Sequence, residues 1–431
     1  MVPLLAALVT GVVACGAAPR TTAPPAAVAA APPLRVGTSG DYPPFSVRAA
    51  DGGLDGFDVA VARAYARDRG RNVELVPFAW PDLERRLVAG DFDVAMSGVT
   101  VRGDRLVLAP MTAAVVRTSA ILLVPATRST PVPSDGAGLV VAVNRGGHLE
   151  RVARARMPRA DLRTVDDNRS LPALLSSGTV DGVVTDTLEA RTFAGDGAAP
   201  ARVALVLAED RKAYWVAPGG EALADDLDAW LAARTADGTL GVLRARYLGD
   251  APEPDTGLPP ATAEIAEELV ARRLLLMPEV AAAKAVAGLP VEVPAREADV
   301  LERARTAAAR AGLAAEPYVA LVRTQMEAAK AVQRAVLGKR TGGGSSPDAG
   351  AVAAAKARLD DLLRPAIDRI DARLRAALAA HAPLTGTPDA LAAALRRDAP
   401  VPGFDPDQAR RLADALLGVP APAVRRAAET T

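Results

Sequence analysis

Arg273-Leu274-Leu275-Leu276-Met277-Pro278-Glu279-Val280-Ala281-Ala282-Ala283-Lys284, continued by Leu289-Pro290-Val291-Glu292-Val293-Pro294-Ala295-Arg296-Glu297, organises the reading of this chain. The first run reads as an alanine-rich amphipathic helix. Its eleven-residue interval makes about three turns and a rise of ~16 Å, so Arg273 and Lys284 fall on nearly one face. Two long cationic side chains reaching toward each other across that span leave a slot sized for a small dianion. Gly288-Leu289-Pro290 then turns the chain, and Arg296 with Glu297 open the next helix. The plain alternative is a solvated, salt-bridged helix face.

Outward from this stretch, residues 262–425 are nearly all helix-forming. The pattern predicts helices at about Thr262 to Val286, Arg296 to Ala311, Pro317 to Leu337 and Ala351 to His381, with two shorter ones after them. Thr341 to Gly350 is Gly/Ser-rich and reads as an exposed loop; it lacks the Lys-Ser/Thr ending of a phosphate-binding loop. Residues 251–261, with Pro252, Pro254, Pro259 and Pro260, form a linker by composition, short but compatible with separate halves.

Before the linker the texture is different. Residues 34–250 alternate short apolar runs with helical ones: a strand at Leu34 to Gly37, a helix from Phe57 to Arg69, strands at Val73–Val76 and Asp93–Met96. A second series runs from Leu139–Val143 through Val183–Val184, and Lys212–Val216 reads as a strand returning to the first lobe. This order predicts an α/β domain with largely parallel sheets. Residues 1–33 stand apart: an apolar run from Val2 to Ala14 ends at the single cysteine, Cys15, and an Ala/Pro/Thr-rich tether follows. Val12-Val13-Ala14-Cys15-Gly16 resembles a bacterial lipobox, which implies export and acylation of Cys15, although no Lys or Arg precedes the apolar run. A plain signal peptide and an uncleaved anchor are the alternatives.

Composition narrows the chemistry. Lys+Arg and Asp+Glu both number 51, so no net positive charge argues for nucleic acid. One cysteine and two histidines argue against a disulfide, a Cys- or His-based metal site and a histidine triad. No cofactor is expected.

Several motifs in the α/β half form a pattern. They are Asp41-Tyr42-Pro43-Pro44-Phe45, Gly56-Phe57-Asp58-Val59, Phe92 to Thr100 with Arg105 five residues on, and Gly182 to Asp186. This half resembles the extracytoplasmic solute-binding proteins of the polar amino-acid type, in which two lobes close on a ligand. The resemblance implies that Arg105 grips a carboxylate, a task suited to a planar guanidinium. Trp80-Pro81-Asp82-Leu83, Asn144-x-Gly146-Gly147, Asp167-Asn168, Thr185-Asp186-x-x-Glu189-Ala190-Arg191 and Lys212-Ala213-Tyr214 are similar to the periplasmic cyclohexadienyl dehydratases. Those enzymes remove water and carbon dioxide from prephenate or arogenate. By the resemblance Glu189 is the acid, a carboxyl whose pKa a closed apolar cleft can raise. Ser97, Thr100 and Arg105 would hold a carboxylate, Asn144 and Lys212 orient the ring side, and Phe45 and Trp80 wall the pocket. Asp186 stands where binding relatives receive an α-amino group. His148 stands where relatives usually have Thr, which puts the second carboxylate contact in question.

The helical half resembles the exported AroQ-type chorismate mutases. Arg273, Lys284 and Arg296 meet the family's spacing, the helix around Arg323-x-Gln325-x-Glu327-Ala328-x-Lys330 fits its later helix, and Leu363 to Asp368 fits its last active-site segment. Chorismate to prephenate is an intramolecular rearrangement that needs no nucleophile, base or metal, only carboxylates held in the reactive conformer and donors near the breaking ether bond. The resemblance implies that Arg273 and Arg364 clamp carboxylates. It assigns Lys284 to a carboxylate and the ether oxygen, Gln333 to the ether oxygen and Glu297 to the ring hydroxyl, while Arg296 touches ligand or stiffens its helix start. Val293 stands where an Asp is usual, and Ala329 where a small polar residue is.

The expected architecture is therefore multidomain: a two-lobed α/β periplasmic-binding-protein fold, then an all-α chorismate mutase domain. The two steps are consecutive, so the expected protein is an exported bifunctional enzyme of the periplasm or cell envelope, acting on chorismate and on prephenate or arogenate. It has no nucleic-acid partner, meets the membrane only through an N-terminal lipid or signal, and pairs as a homodimer through the mutase domain. The alternative is a mutase fused to a non-catalytic amino-acid-binding domain used for transport or sensing.

Overall fold

A computed structural model describes residues 32–194, 200–249, 263–338 and 347–422. The expectations for residues 1–31, including Cys15, and for the linker and most of the Gly/Ser-rich loop lie outside these residues.

Apolar residues at Leu34 and Val36 place the strand Leu34–Thr38 in the middle of a parallel array, where its neighbours are Val73–Pro77 and Val94–Ala95. Trp215–Val216 closes that four-stranded sheet on the other side of Val94–Ala95, running antiparallel. The chain leaves this lobe along Val116–Pro125 and returns along Ala201–Lys212; these two strands pair antiparallel, with Lys212 opposite Val116. They also edge the five-stranded sheet of the second lobe, whose other members are Gly182–Asp186, Val140–Asn144 and Asp161–Val165. An isolated bridge from Thr100 to Lys212 ties the first lobe to the returning strand. The two connections thus form a hinge, and the strand ends carrying Thr100, Asn144, Asp186 and Lys212 converge on the cleft between the lobes.

The helical half differs from expectation at its most informative stretch. Instead of one helix from Thr262 to Val286, there are two, Ala263–Leu275 and Met277–Ala287, joined at Leu276. Pro278 is the cause: it has no N–H for the Leu274 carbonyl, and its ring crowds the preceding turn. The helices Pro294–Arg310 and Ala315–Gly338 follow. The expected helix to His381 is in three parts: Ala349–Ala357, a π-helical turn at Arg358–Leu363, and Arg364–His381. π turns widen a helix locally and are frequent at functional sites; this one immediately precedes Arg364.

The two halves are docked rather than held apart. Arg272 is almost fully buried and donates to the Met111 carbonyl at 2.6 Å, to the Thr112 carbonyl and to Glu268. Arg373 donates to Met111 O at 2.8 Å and pairs with Asp225 and Asp228. Gly103 is required at this junction, because a Cβ there would lie 2.5 Å from the Leu275 carbonyl oxygen. The principal clasp is Asp398, only 1% exposed at its side chain. It accepts from Arg117 through both carboxylate oxygens at 2.5 and 2.6 Å, and its backbone carbonyl accepts from Arg211 at 3.0 Å. Arg117 and Arg211 lie on the two hinge strands, opposite one another in register. Asp398→Ala is expected to leave the largely buried Arg117 guanidinium without its carboxylate, while Arg211 keeps the carbonyl of residue 398 and Glu268 at 3.3 Å. The loss is about 3–5 kcal/mol of unfolding free energy, read from urea melts of the full chain, with unchanged stability as the contrary result.

Candidate functional site

The lobes are closed on a cavity of about 20 Å³, room for roughly one water. A ring-sized ligand therefore enters only when the lobes part. Tyr42, Trp80, Thr100, Arg105, Asn144, His148, Asn168 and Lys212 are among its lining residues. Gly98 also lines it at φ 64°, and a Cβ there would come within 2.7 Å of both Phe45 and Tyr42. Trp80 stands edge-on to Tyr42, with ring centroids 5.5 Å apart, and donates to Asp41 at 3.2 Å. Phe45 is buried beneath Tyr42 and does not line the cavity; nor does Ser97, whose hydroxyl pairs with Ser39 at 2.9 Å.

Arg105 is 4% exposed and donates to the Thr100 carbonyl at 2.8 Å while its guanidinium lies 5.3 Å from the centre of the Trp215 ring. Burial, then the nearby Arg102 charge, hold it down to about 9. Among the described residues no carboxylate is within ion-pair distance of it, so its remaining donors face the cavity. Several other buried polar atoms lack partners: Asn144 Nδ2, Asn168 Oδ1 and His148 Nδ1. His148 is held from behind by Asp210, at 2.8 Å from Nε2. Such unpaired atoms around a small cavity fit a polar ligand that supplies the missing hydrogen bonds.

Glu189 and Asp186 sit just outside the lining. Glu189 is 1% exposed; Thr185 donates to Oε2 at 2.5 Å, and Oε1 has no partner. Burial, followed by the charge of Asp186, pushes its carboxyl well above the usual carboxylate range. Burial thus favours the protonated form of Glu189. Asp186 accepts from the backbone N–H groups of Leu188 and Glu189 and from the Tyr42 hydroxyl, and pairs with Lys212 at 3.3 Å.

The second site is a cavity of about 580 Å³ inside the helical half. Arg273, Lys284, Arg296, Glu297, Gln333 and Arg364 all line it, so the residues pointed to by spacing and by the resemblance share one space. Lys284 donates to the Val291 carbonyl at 3.0 Å, and burial first, then Arg296 and Arg364, push its ammonium below the usual lysine range. Arg273 pairs with Asp371 at 3.1 Å. Gln333 makes only a weak contact to the Met277 sulfur at 3.7 Å, and its Oε1 is buried without a partner. Glu297 accepts from Lys330 at 3.0 Å. Val293 and Ala329 also line the cavity.

Sequence reasoning gave no site role to Arg303, Lys330, Arg375 or Tyr318, which line the same cavity. A signal existed for two of them. Arg303 follows Arg296 by seven residues and Arg375 follows Arg364 by eleven, both intervals that return to one helix face. The wall carries seven cationic side chains against three carboxylates, so its field favours a multiply charged anion. Among the described residues no group of three or more His, Cys, Asp or Glu could hold a metal, and no helix is long and apolar enough to cross a membrane.

Comparison with known proteins gives the same division. The model of the bacterial extracellular solute-binding proteins, family 3, matches residues 34–250, and that of chorismate mutase type II matches residues 265–334. The chain is 36% identical over 162 residues to a cyclohexadienyl dehydratase of Pseudomonas aeruginosa, covering 37% of this chain and 60% of that protein. It is 28% identical over 226 residues to the L-cystine-binding protein TcyJ of Escherichia coli (strain K12), covering 50% and 82%. A solved structure of an ancestral amino acid-binding protein, AncCDT-1, described as a precursor of cyclohexadienyl dehydratase, is 28% identical. It covers 50% of this chain and 95% of its own, with a TM-score of 0.47.

Proposed function

We propose a function from one premise: the chain belongs to the bacterial extracellular solute-binding proteins, family 3, and continues into a chorismate mutase type II domain. The protein converts chorismate to prephenate in the helical cavity and prephenate to phenylpyruvate in the cleft between the lobes. Arogenate to phenylalanine is the parallel second reaction. In the first step Arg273 and Arg364 hold carboxylates, Lys284 and Gln333 face the ether oxygen, and Glu297 faces the ring hydroxyl. In the second, Glu189 protonates the departing hydroxyl as carbon dioxide leaves, with Arg105 on a carboxylate and Asn144 and Lys212 beside the ring.

The observation that carries this reading is the setting of Glu189: a buried carboxyl with an unpartnered oxygen beside a cationic cleft, where burial raises its pKa and favours the acid form. Elimination of water requires such a proton donor. The reading extends to an exported chain acylated at Cys15 and paired through its helical domain. The test is to give the purified full chain chorismate alone and follow phenylpyruvate by its alkaline ultraviolet absorbance without prior acid treatment. Formation of phenylpyruvate is expected. Chorismate loss with prephenate as the stable end product sinks the second activity and favours a mutase fused to a binding domain.

A further inference from the structure

We infer that the cleft selects 2-oxo acids over the corresponding 2-amino acids, because Lys212 and Tyr42 occupy the carboxylate of Asp186 that an ammonium group would need. The inference rests on the dehydratase reading of the cleft and names which of its two substrate classes the site takes.

A carboxylate offers about four lone-pair positions. On Asp186, Oδ1 accepts from Leu188 N at 2.8 Å and from Glu189 N at 2.9 Å. Oδ2 accepts from the Tyr42 hydroxyl and faces Lys212 Nζ at 3.3 Å. Three positions thus hold hydrogen bonds, the Lys212 ammonium lies against Oδ2 as an ion pair, and the side chain is fully buried. Lys212 is held in place by two hydrogen bonds, to the Tyr42 hydroxyl at 3.2 Å and to Thr100 Oγ1 at 3.0 Å. Its position is therefore part of a network and not a single rotamer choice.

The wall facing the ligand carries the other half of the reasoning. Among the described residues, Arg105 and Lys212 line the cavity and no Asp or Glu does. Glu189, behind that wall, is buried, and burial followed by the Asp186 charge raises its pKa and favours the neutral form. A 2-amino acid would bring an ammonium into this space with no free carboxylate to receive it, leaving a buried charge unpaired. A 2-oxo acid brings only acceptors and carboxylates, which Arg105, Asn144 Nδ2 and Lys212 can serve. The solute-binding resemblance gives Asp186 the ammonium; the hydrogen-bond network withdraws it.

The experiment uses phenylpyruvate and L-phenylalanine, which differ at the same carbon by oxo against ammonium, in calorimetric titrations of the full chain. Phenylpyruvate is expected to bind at least roughly 10-fold more tightly. Lys212→Met and Tyr42→Phe each free a position on Asp186, and each should narrow that ratio; thermal melts identify any variant that does not fold, and the unmodified chain decides the matter without them. Equal binding, or tighter binding of phenylalanine, overturns the inference. Turnover separates it from the reading beneath it. Selective binding of phenylpyruvate with no consumption of prephenate keeps the selectivity and removes the dehydratase. Equal kcat/KM for prephenate and arogenate removes the selectivity and keeps the dehydratase.

Discussion

Glu189→Gln is expected to lower phenylpyruvate formation by roughly 10²–10⁴-fold, the usual range for a general acid, while chorismate is still consumed and prephenate accumulates. Glutamine matches the carboxyl in shape and can still accept from Thr185, which lies 2.5 Å from Oε2 in the parent. It has no transferable proton. The burial that raises Glu189 and the neighbouring Asp186 charge both favour the protonated form. The sign of the pH dependence follows: the acid is active while protonated, so dehydration falls as pH rises through the elevated pKa. The parent should show that alkaline limb in kcat/KM with prephenate, and the Gln variant should lose it along with the rate. Retained phenylpyruvate formation in Glu189→Gln would falsify the general-acid role and return the cleft to a binding function.

What could be read from the residues, and what could not, divides by the range of the interaction. Strand and helix order in the first half was legible because apolar runs at Leu34–Val36 and Val183–Val184 are local signals. The convergence of Arg273, Lys284 and Arg364 was legible because helical spacing and a family pattern both pointed to it. Pro278 was equally visible, yet the apolar run on both sides masked the break it makes. The π turn before Arg364 has no residue signature at all. Least legible were the contacts between distant segments: Asp398 lies 281 residues from Arg117, and Lys212 reaches Asp186 only because the hinge strand returns beside the cleft. No periodicity encodes such pairings.

Lys284→Ala is the counterpart in the helical cavity, with an expected fall in chorismate mutase kcat of roughly 10²–10³-fold, the scale set by removing one donor from a developing oxyanion. The rearrangement makes no covalent bond to the protein, so its acceleration must come from holding the diaxial conformer and from charge placed where the ether bond breaks. Lys284 is suited to that position because its ammonium is half removed from water and anchored at 3.0 Å to the Val291 carbonyl. Burial, then Arg296 and Arg364, lower its pKa, so the required cation is lost as pH rises through a value below that of an ordinary lysine. Mutase kcat/KM should therefore decline on the alkaline side, and Lys284→Arg, which keeps its charge, should flatten that decline even where its longer side chain slows the step. Dehydration of supplied prephenate should be unchanged in both variants, because the cleft lies in the other half and shares none of these side chains. Full mutase activity in Lys284→Ala, or an alkaline limb that persists unshifted in Lys284→Arg, assigns the ether-oxygen contact to Gln333 or Lys330 instead.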